Sequence, residues 1–184
     1  QLHFSASRTM MIAQQLYEGL PLGEEGSVGL ITYMRTDSTH VAASAINETR
    51  EYIQKNYGEQ YLPAKPRVYS RKVKNAQEAH EAIRPTRIHR EPEAVKKYLD
   101  DAQYKLYNLI WKRMVASQMA SAVYQNTVVD IEARCPQPKN TYLLRTTSSR
   151  LEFPGYTSLY VEGRDEDEAE EEKPSVLPEL KKGE

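Results

Sequence analysis

The sequence has few cysteines and no long apolar runs. Cys135 is its single cysteine among 184 residues, which excludes an internal disulfide and a zinc cluster and fits a reducing cytoplasm. No apolar run approaches the roughly 18 residues that a membrane-spanning helix requires. The first residues also lack the basic start and apolar stretch of a secretory signal. These absences predict a cytoplasmic protein without membrane partners.

The net charge is also small, −1, which is unexpected for a protein that binds nucleic acid. The average hides a division, because residues 1–160 carry a basic excess and residues 161–184 an acidic one. The basic excess is largest in residues 65–90, where Glu78 and Glu81 are the acidic residues. Such a segment is either a polyanion-binding surface or a solvated loop, and charge alone does not decide between them. Its basic residues are Lys65, Arg67, Arg71, Lys72, Lys74, Arg84, Arg87 and Arg90.

Apolar residues at helical spacing predict several helices in the first 120 residues. We expect one over residues 5–18, capped by Ser5 or Ser7, and a second from about Ser38 to Gly58. A short helix is expected over residues 75–83, stopped by Pro85. Another begins at Pro92 and continues or restarts to reach residue 119. Its apolar stripe predicts core packing and consists of Leu106, Tyr107, Ile110, Trp111 and Met114.

The apolar period then changes from helix to strand. Residues 127–134 and 141–148 predict two strands joined by a proline-containing turn. Helices followed by strands predict an α+β fold with two domains, residues 1–120 and 121–184, that meet near Ala120. Residues 162–172 are mostly acidic and predict a solvated loop. The last residues begin an element that they do not finish, which predicts a piece of a longer protein.

Tyr33 stands out by its context among 13 tyrosines. It ends a short apolar run after a glycine-rich loop, and Arg35 follows two residues later. A phenol has a pKa of about 10, so a nearby cation is needed to favour phenolate, and a guanidinium can also hold phosphate oxygens. On an extended chain the two side chains share a face, and a helix starting at Ser38 would offer N–H groups to an anion. Thr36, Asp37 and Ser38 equally suit a helix cap. This pattern is compatible with phosphoryl transfer, but the residues alone do not establish it.

Three segments resemble type IA DNA topoisomerases. Residues 30–38 (LITYMRTDS), here called the tyrosine motif, resemble the active-site signature of that family. Residues 79–86 (AHEAIRPT), the histidine motif, resemble its second signature, and residues 9–19 (TMMIAQQLYEG) resemble the preceding helix. Met34 and the histidine motif favour the bacterial topoisomerase I branch over topoisomerase III, which usually has proline after the tyrosine. Reverse gyrase is the nearer alternative, because it shares the histidine motif.

The resemblance implies a site and a fold. Tyr33 would attack a phosphodiester in single-stranded DNA, form a 5′-phosphotyrosine and release a 3′-hydroxyl. Arg35 would hold the scissile phosphate and His80 would contact the backbone. Arg84 is a further candidate DNA contact, although a structural role suits it better. The fold would be a mainly helical active-site tyrosine domain followed by antiparallel strands of an incomplete, β-rich arch domain. Further candidate phosphate-binding residues are Arg71, Lys72 and Lys74.

The resemblance also implies parts that this sequence lacks. The family's reaction needs Mg²⁺ held by a Toprim domain, with a glutamate and an Asp-x-Asp-x-Glu run. Residues 165–168 imitate that run in letters only, so no metal ligand is expected here. We therefore expect ATP-independent relaxation by a full-length, nucleoid-associated enzyme, with single-stranded DNA and its remaining domains as partners, and an inactive isolated chain. The alternative is a non-catalytic DNA-binding module whose Tyr33 only stacks on bases.

Overall fold

The protein has an α+β fold, as expected from the sequence. The computed structural model describes residues 2–69, 80–135 and 140–161. The chain divides into two compact units. Unit 1 comprises Gln1–Ala120 together with Tyr156–Val161, and unit 2 contains the intervening Ser121–Gly155. The return of Tyr156–Val161 to unit 1 was not indicated by the sequence.

The described part of unit 1 contains four α-helices and a very short hairpin. The helices are α1 (Ala6–Glu18), α2 (Ala43–Tyr57), α3 (Pro92–Val95) and α4 (Asp101–Gln118). The hairpin joins β1 (Leu20–Pro21) to β2 (Ser27–Val28) in antiparallel register. Single turns of 3₁₀ helix lie at Gly23–Glu25, Glu59–Tyr61 and Lys96–Tyr98.

The helix ends follow local signals. Ser5 caps α1, because its side chain accepts a hydrogen bond from the Arg8 N–H at 3.2 Å. Asp100 and Gln103 form a reciprocal capping box at the start of α4. Gly58 ends α2 with a φ of 97°, a conformation that favours glycine. The predicted first helix and the predicted end of the second are therefore confirmed.

The core of unit 1 forms where α4 packs against α1 and α2. The polar atoms of Trp111 and Tyr107, two of its buried aromatic residues, are satisfied, as burial requires. Trp111 Nε1 donates to the Ile88 carbonyl at 2.8 Å, and the Tyr107 hydroxyl donates to the Arg90 carbonyl at 2.7 Å. The predicted core stripe is buried at Leu106, Tyr107, Trp111 and Met114 and partly buried at Ile110.

The predicted start of the second helix is wrong, because α2 begins at Ala43 and not near Ser38. The intervening backbone is used for tertiary hydrogen bonds. The His40 carbonyl accepts from the Ala82 N–H at 2.7 Å, and the Ala42 N–H donates to Glu81 Oε1 at 2.7 Å. Ser38 therefore opens no helix, and the helix-terminus anion site expected there does not exist.

The predicted helix over residues 75–83 lies partly outside the described residues. Residues 80–83 are described, and they are not helical. Their backbone bonds instead to the segment before α2 and to the tyrosine motif. Local pattern suggested a capped helix, whereas long-range pairing determines the structure here.

Unit 2 is a long antiparallel hairpin in its described part. Strand β3 (Val123–Cys135) pairs with β4 (Asn140–Phe153), with Val128 opposite Thr147 and an irregularity between Val123 and Tyr124. The predicted strands lie inside these longer ones. The hairpin's exposed large apolar residues are Val123, Tyr124, Val128, Ile131, Tyr142, Leu143, Leu144 and Leu151.

Some of the predictions concern residues that lie outside the described ranges. They concern the acidic stretch 162–172 and three candidate phosphate-binding residues, Arg71, Lys72 and Lys74. Across the described ranges, no helix combines the length and the apolar character needed to cross a bilayer.

Candidate active site

The tyrosine motif and the histidine motif pair with each other through their backbones. Ile31 forms an antiparallel bridge with Pro85. The Thr32 N–H donates to the Arg84 carbonyl at 2.9 Å, and the Thr86 N–H donates to the Leu30 carbonyl at 2.9 Å. Two segments some fifty residues apart in the sequence are thereby held as one unit. We call this arrangement, residues 30–32 with 84–86, the paired segment.

The side chain of Thr32 strengthens the paired segment. Its hydroxyl donates to the Ala82 carbonyl at 2.7 Å, and its oxygen accepts from the Arg84 N–H at 2.9 Å. One threonine thus satisfies two backbone groups of the histidine motif. Such groups are costly to leave unpaired when they are removed from water.

Gly29 lets the tyrosine motif approach the end of α1 closely. The Leu30 N–H donates to the Leu16 carbonyl at 2.7 Å. A Cβ added at Gly29 would lie only 2.7 Å from the Tyr17 carbonyl oxygen, so a larger residue would push the two segments apart. The Thr86 hydroxyl also donates to the Gly29 carbonyl at 2.7 Å. The glycine-rich loop therefore has a packing role at this position.

Tyr33 lies at the end of the paired segment, between two other rings. Its ring centroid is 5.4 Å from that of Tyr17 in an edge-to-face arrangement, and 5.8 Å from that of His80. Ile31 and Met34 beside it are 1% and 3% exposed, whereas Tyr33 is 39% exposed. The fold therefore presents this one phenol to solvent from an otherwise buried run, and it brings Tyr33 and His80 together.

Arg35 is exposed, and it makes no hydrogen bond, ion pair or cation–π contact with the described residues. The backbone bends at Met34 and Arg35. The expected strand geometry between Tyr33 and Arg35 is therefore wrong, and a shared face for their side chains stays a prediction. The guanidinium is available for an anion, but its position is set by a bend and not by a strand.

Glu81 and Arg84 form an ion pair inside the histidine motif. Arg84 Nη2 lies 2.7 Å from Glu81 Oε2, with the two side chains 13% and 29% exposed. Burial alone would raise the pKa of Glu81, but hydrogen bonds from Arg84 and the Ala42 N–H, with the charges of Arg84 and His40, hold it below its usual value. The ionised Glu81 carboxylate thus links the histidine motif to the segment before α2.

Four other cations lie in the described part of residues 65–90, and they differ in their contacts. Arg84 directs a second nitrogen to the Pro85 carbonyl at 2.9 Å, so its described contacts are structural. Arg90 pairs with Glu25 at 2.9 Å. Lys65 and Arg87 are exposed. A DNA-binding role for Arg84 stays a prediction that these contacts do not test.

Sequence reasoning did not single out three residues of this region, namely Tyr17, Thr32 and Glu81. Each lies within one of the segments that resemble the topoisomerase family, so the resemblance was a signal for them. Their individual contacts depend on long-range pairing, which the sequence does not display. No group of three or more His, Cys, Asp or Glu side chains suited to a metal ion occurs within the described ranges.

Comparison with known proteins identifies the family of this chain. A family model described as DNA topoisomerase matches residues 1–184. The chain belongs to this DNA topoisomerase family. It is 48% identical over 185 residues to DNA topoisomerase 1 of Xylella fastidiosa, and 49% identical to that of Rickettsia conorii. All of the chain is covered in both comparisons, but only 22% and 23% of the relatives.

A solved structure supports the same family assignment for this protein. Full-length topoisomerase I from Thermotoga maritima matches with a TM-score of 0.70 and 41% sequence identity. The match covers 89% of this chain and 25% of that one. The expected relationship to bacterial topoisomerase I is therefore confirmed. Since the chain spans about a quarter or less of these relatives, the activity of a whole enzyme is a proposal.

Proposed function

We propose that Tyr33 is the nucleophile of a type IA topoisomerase. Its Oη attacks a phosphodiester in single-stranded DNA, so that an Oη–P bond forms and the P–O3′ bond breaks. The phenol loses its proton, the departing 3′ oxygen gains one, and the 5′-phosphate stays on Tyr33. Resealing reverses these steps after a strand has passed, which relaxes negative supercoils without ATP.

The exposure of Tyr33 on a fixed support is the observation that carries this proposal. The paired segment holds the backbone on one side, and Gly29 brings α1 and Tyr17 against the other. The ring of Tyr33 is therefore positioned before any substrate arrives. Such pre-organisation lowers the entropic part of a reaction barrier, since less motion is lost when the substrate binds.

Two neighbouring cationic or polar groups have proposed roles. Arg35 is exposed directly after the tyrosine and suits a bidentate contact with the scissile phosphate, where it would stabilise charge in the transition state. The imidazole of His80, next to Tyr33, suits a backbone phosphate contact. Arg84, which is paired to Glu81, acts in this scheme by positioning the histidine motif.

The remaining work is assigned to parts outside this chain. The departing 3′ oxygen has a high pKa and needs a proton donor or a metal. By resemblance to the type IA family, the proposal assigns Mg²⁺ binding to a Toprim domain elsewhere in a cytoplasmic, nucleoid-associated enzyme. Single-stranded DNA and the remaining domains are the proposed partners. We expect the chain alone to cleave no oligonucleotide in the presence of Mg²⁺. Cleavage by the purified chain would show that half of the active site has been misplaced.

The variant Tyr33→Phe separates catalysis from simple DNA binding. In the full-length enzyme it should abolish plasmid relaxation and leave oligonucleotide affinity nearly unchanged, because a phenylalanine ring stacks on bases but has no hydroxyl. Tyr17→Phe is the matched control, and it should retain relaxation. Relaxation by the Tyr33→Phe enzyme would contradict the proposal and favour a non-catalytic role for this ring.

A further inference from the structure

Unit 1 contains an open cavity of about 570 Å³ that the proposed reaction does not use. Its walls come from residues 38–41, 67–69 and 82–83, from the last turns of α4, and from the segment that returns at Tyr156. We call it the α4 cavity. Its volume lies within the range of about 300–1,000 Å³ that is usual for ligand sites.

One wall of the α4 cavity is fixed by hydrogen bonds. The Gln118 side chain, 1% exposed, accepts from the Arg67 N–H at 3.2 Å and donates to the Arg67 carbonyl at 3.0 Å. The Tyr69 hydroxyl donates to the Ser117 carbonyl at 2.9 Å, and the Thr39 hydroxyl donates to the Tyr69 carbonyl at 2.8 Å. Residues 67–69 are thus tied to both α4 and the segment after the tyrosine motif. The cavity is preformed and does not need a ligand to shape this wall.

The lining combines aromatic rings with cations. Tyr69 and Tyr156 are 48% and 39% exposed, so their ring faces are available to a flat partner. The guanidinium of Arg113 lies 5.7 Å from the centre of the Tyr160 ring, and Arg67 lines the same space. No carboxylate occurs among the lining residues that the structure describes. Rings for stacking beside guanidinium groups for an anion suit a nucleotide.

The α4 cavity lies beside the proposed active site. Ser38 and Thr39 belong to the chain that leaves Tyr33, and Ala82 follows His80 by two residues. Two residues of chain span at most about 7 Å. A DNA strand held at His80 therefore lies close to the cavity wall at Ala82.

We infer that the α4 cavity binds a nucleotide of the single strand flanking the cleavage point. Its base lies against the tyrosines, and its phosphate lies on Arg113 and Arg67. That a DNA strand passes this cavity rests on the proposed function. That the cavity suits a nucleotide rests on its own lining residues. The site would lengthen the DNA contact beyond the scissile phosphate and help hold the broken strand.

The test uses the full-length enzyme with Tyr33→Phe, so that binding is measured without cleavage. Fluorescence anisotropy gives the Kd of oligonucleotides shortened one nucleotide at a time from each side of the cleavage position, at several salt concentrations. Arg113→Gln should weaken binding about tenfold, and only for oligonucleotides long enough to reach the cavity. Its log–log salt slope should fall by about 0.7, the value for one lost phosphate contact on a single strand. Shorter oligonucleotides should bind both proteins equally.

Lys112→Gln is the matched control, since it removes the same charge one residue earlier, where the side chain lines a different cavity. It should leave the length dependence unchanged. Tyr156→Leu should reproduce the length-dependent loss and Tyr156→Phe should not, because only phenylalanine keeps a stacking face. Equal effects of Arg113→Gln at every length, or none at any length, would overturn the inference. Covalent adduct formation by the enzyme with Tyr33 intact is scored separately, so a failed cavity and a failed nucleophile are distinguishable.

Discussion

The paired segment differs from the rings beside it, Tyr33 and His80, in how many of its polar groups have hydrogen-bond partners inside the protein. In the paired segment, backbone groups and the Thr32 hydroxyl have partners inside the protein. Tyr33 and His80, one or a few residues away, are exposed and contact each other through their rings. The first region is built for rigidity, and the second is open to a substrate. Each of the two motifs therefore contains both kinds of residue: residues that fix the backbone, and next to them a residue that is exposed to a substrate.

This comparison predicts two kinds of variant. A change in the exposed group should lower activity with little effect on stability, because few internal contacts are lost. A change in the paired segment should lower stability first, and activity through misplacement of Tyr33.

Arg35→Ala should produce the largest loss in this series. DNA cleavage by the full-length enzyme should fall by roughly 10²–10³, the usual cost of removing a group that stabilises transition-state charge. The melting temperature should stay nearly unchanged, since Arg35 is exposed. Arg87→Ala, also an exposed arginine, is the control for general loss of charge. Wild-type cleavage by Arg35→Ala would remove this residue from the site.

Thr32→Val should have an intermediate effect, and on stability. The valine side chain cannot form the hydrogen bonds that the Thr32 hydroxyl makes with Ala82 and Arg84, so the free energy of unfolding should fall by about 1–3 kcal/mol. Urea denaturation measures this difference. Thr9→Val is the control, because it removes a threonine hydroxyl bond within one exposed helix. If both variants lose the same stability, the paired segment has no special role.

Glu81→Gln should have the smallest effect, and one that depends on pH. The folded-state pKa of Glu81 is held below 4.5, so its charge stabilises the fold above that pH and the contribution disappears as the pH falls through the lowered value. The variant should be less stable by roughly 1 kcal/mol at neutral pH. It should also lose less stability than wild type on acidification below pH 4.5.

Thermal melts between neutral pH and pH 3 compare the two proteins. Glu51→Gln, an exposed carboxylate of α2, is the control and should follow the wild type. Parallel acid profiles for wild type and Glu81→Gln would show that the tie to Ala42 and Arg84 contributes nothing.

Local signals predicted much of the fold. The cap at Ser5, the stripe around Trp111 and the glycine at position 58 depend on neighbours within a few residues, so the sequence displays them directly. The change of period after Ala120 likewise predicted strands, although their full length was underestimated. The α+β class follows from these elements.

The remaining features depend on contacts that are distant in sequence. The start of α2 was misplaced because His40 and Ala42 bond to residues about forty positions away. For the candidate site, the resemblance named Tyr33 and His80, but only the structure shows the edge-to-face contact of Tyr33 with Tyr17 and the pairing of Arg84 with Glu81. Geometry at Arg35 was misjudged, since a bend replaces the assumed strand.

The central claim is that Tyr33 becomes covalently joined to DNA. The most direct measurement incubates the full-length enzyme with an end-labelled single-stranded oligonucleotide, denatures the protein to trap the adduct, and maps the modified residue by peptide mass spectrometry. The account predicts a 5′-phosphate ester on the peptide that contains Tyr33, and its absence from the Tyr33→Phe enzyme. An adduct on Tyr17 or on any other residue, with Tyr33 unmodified, would contradict it.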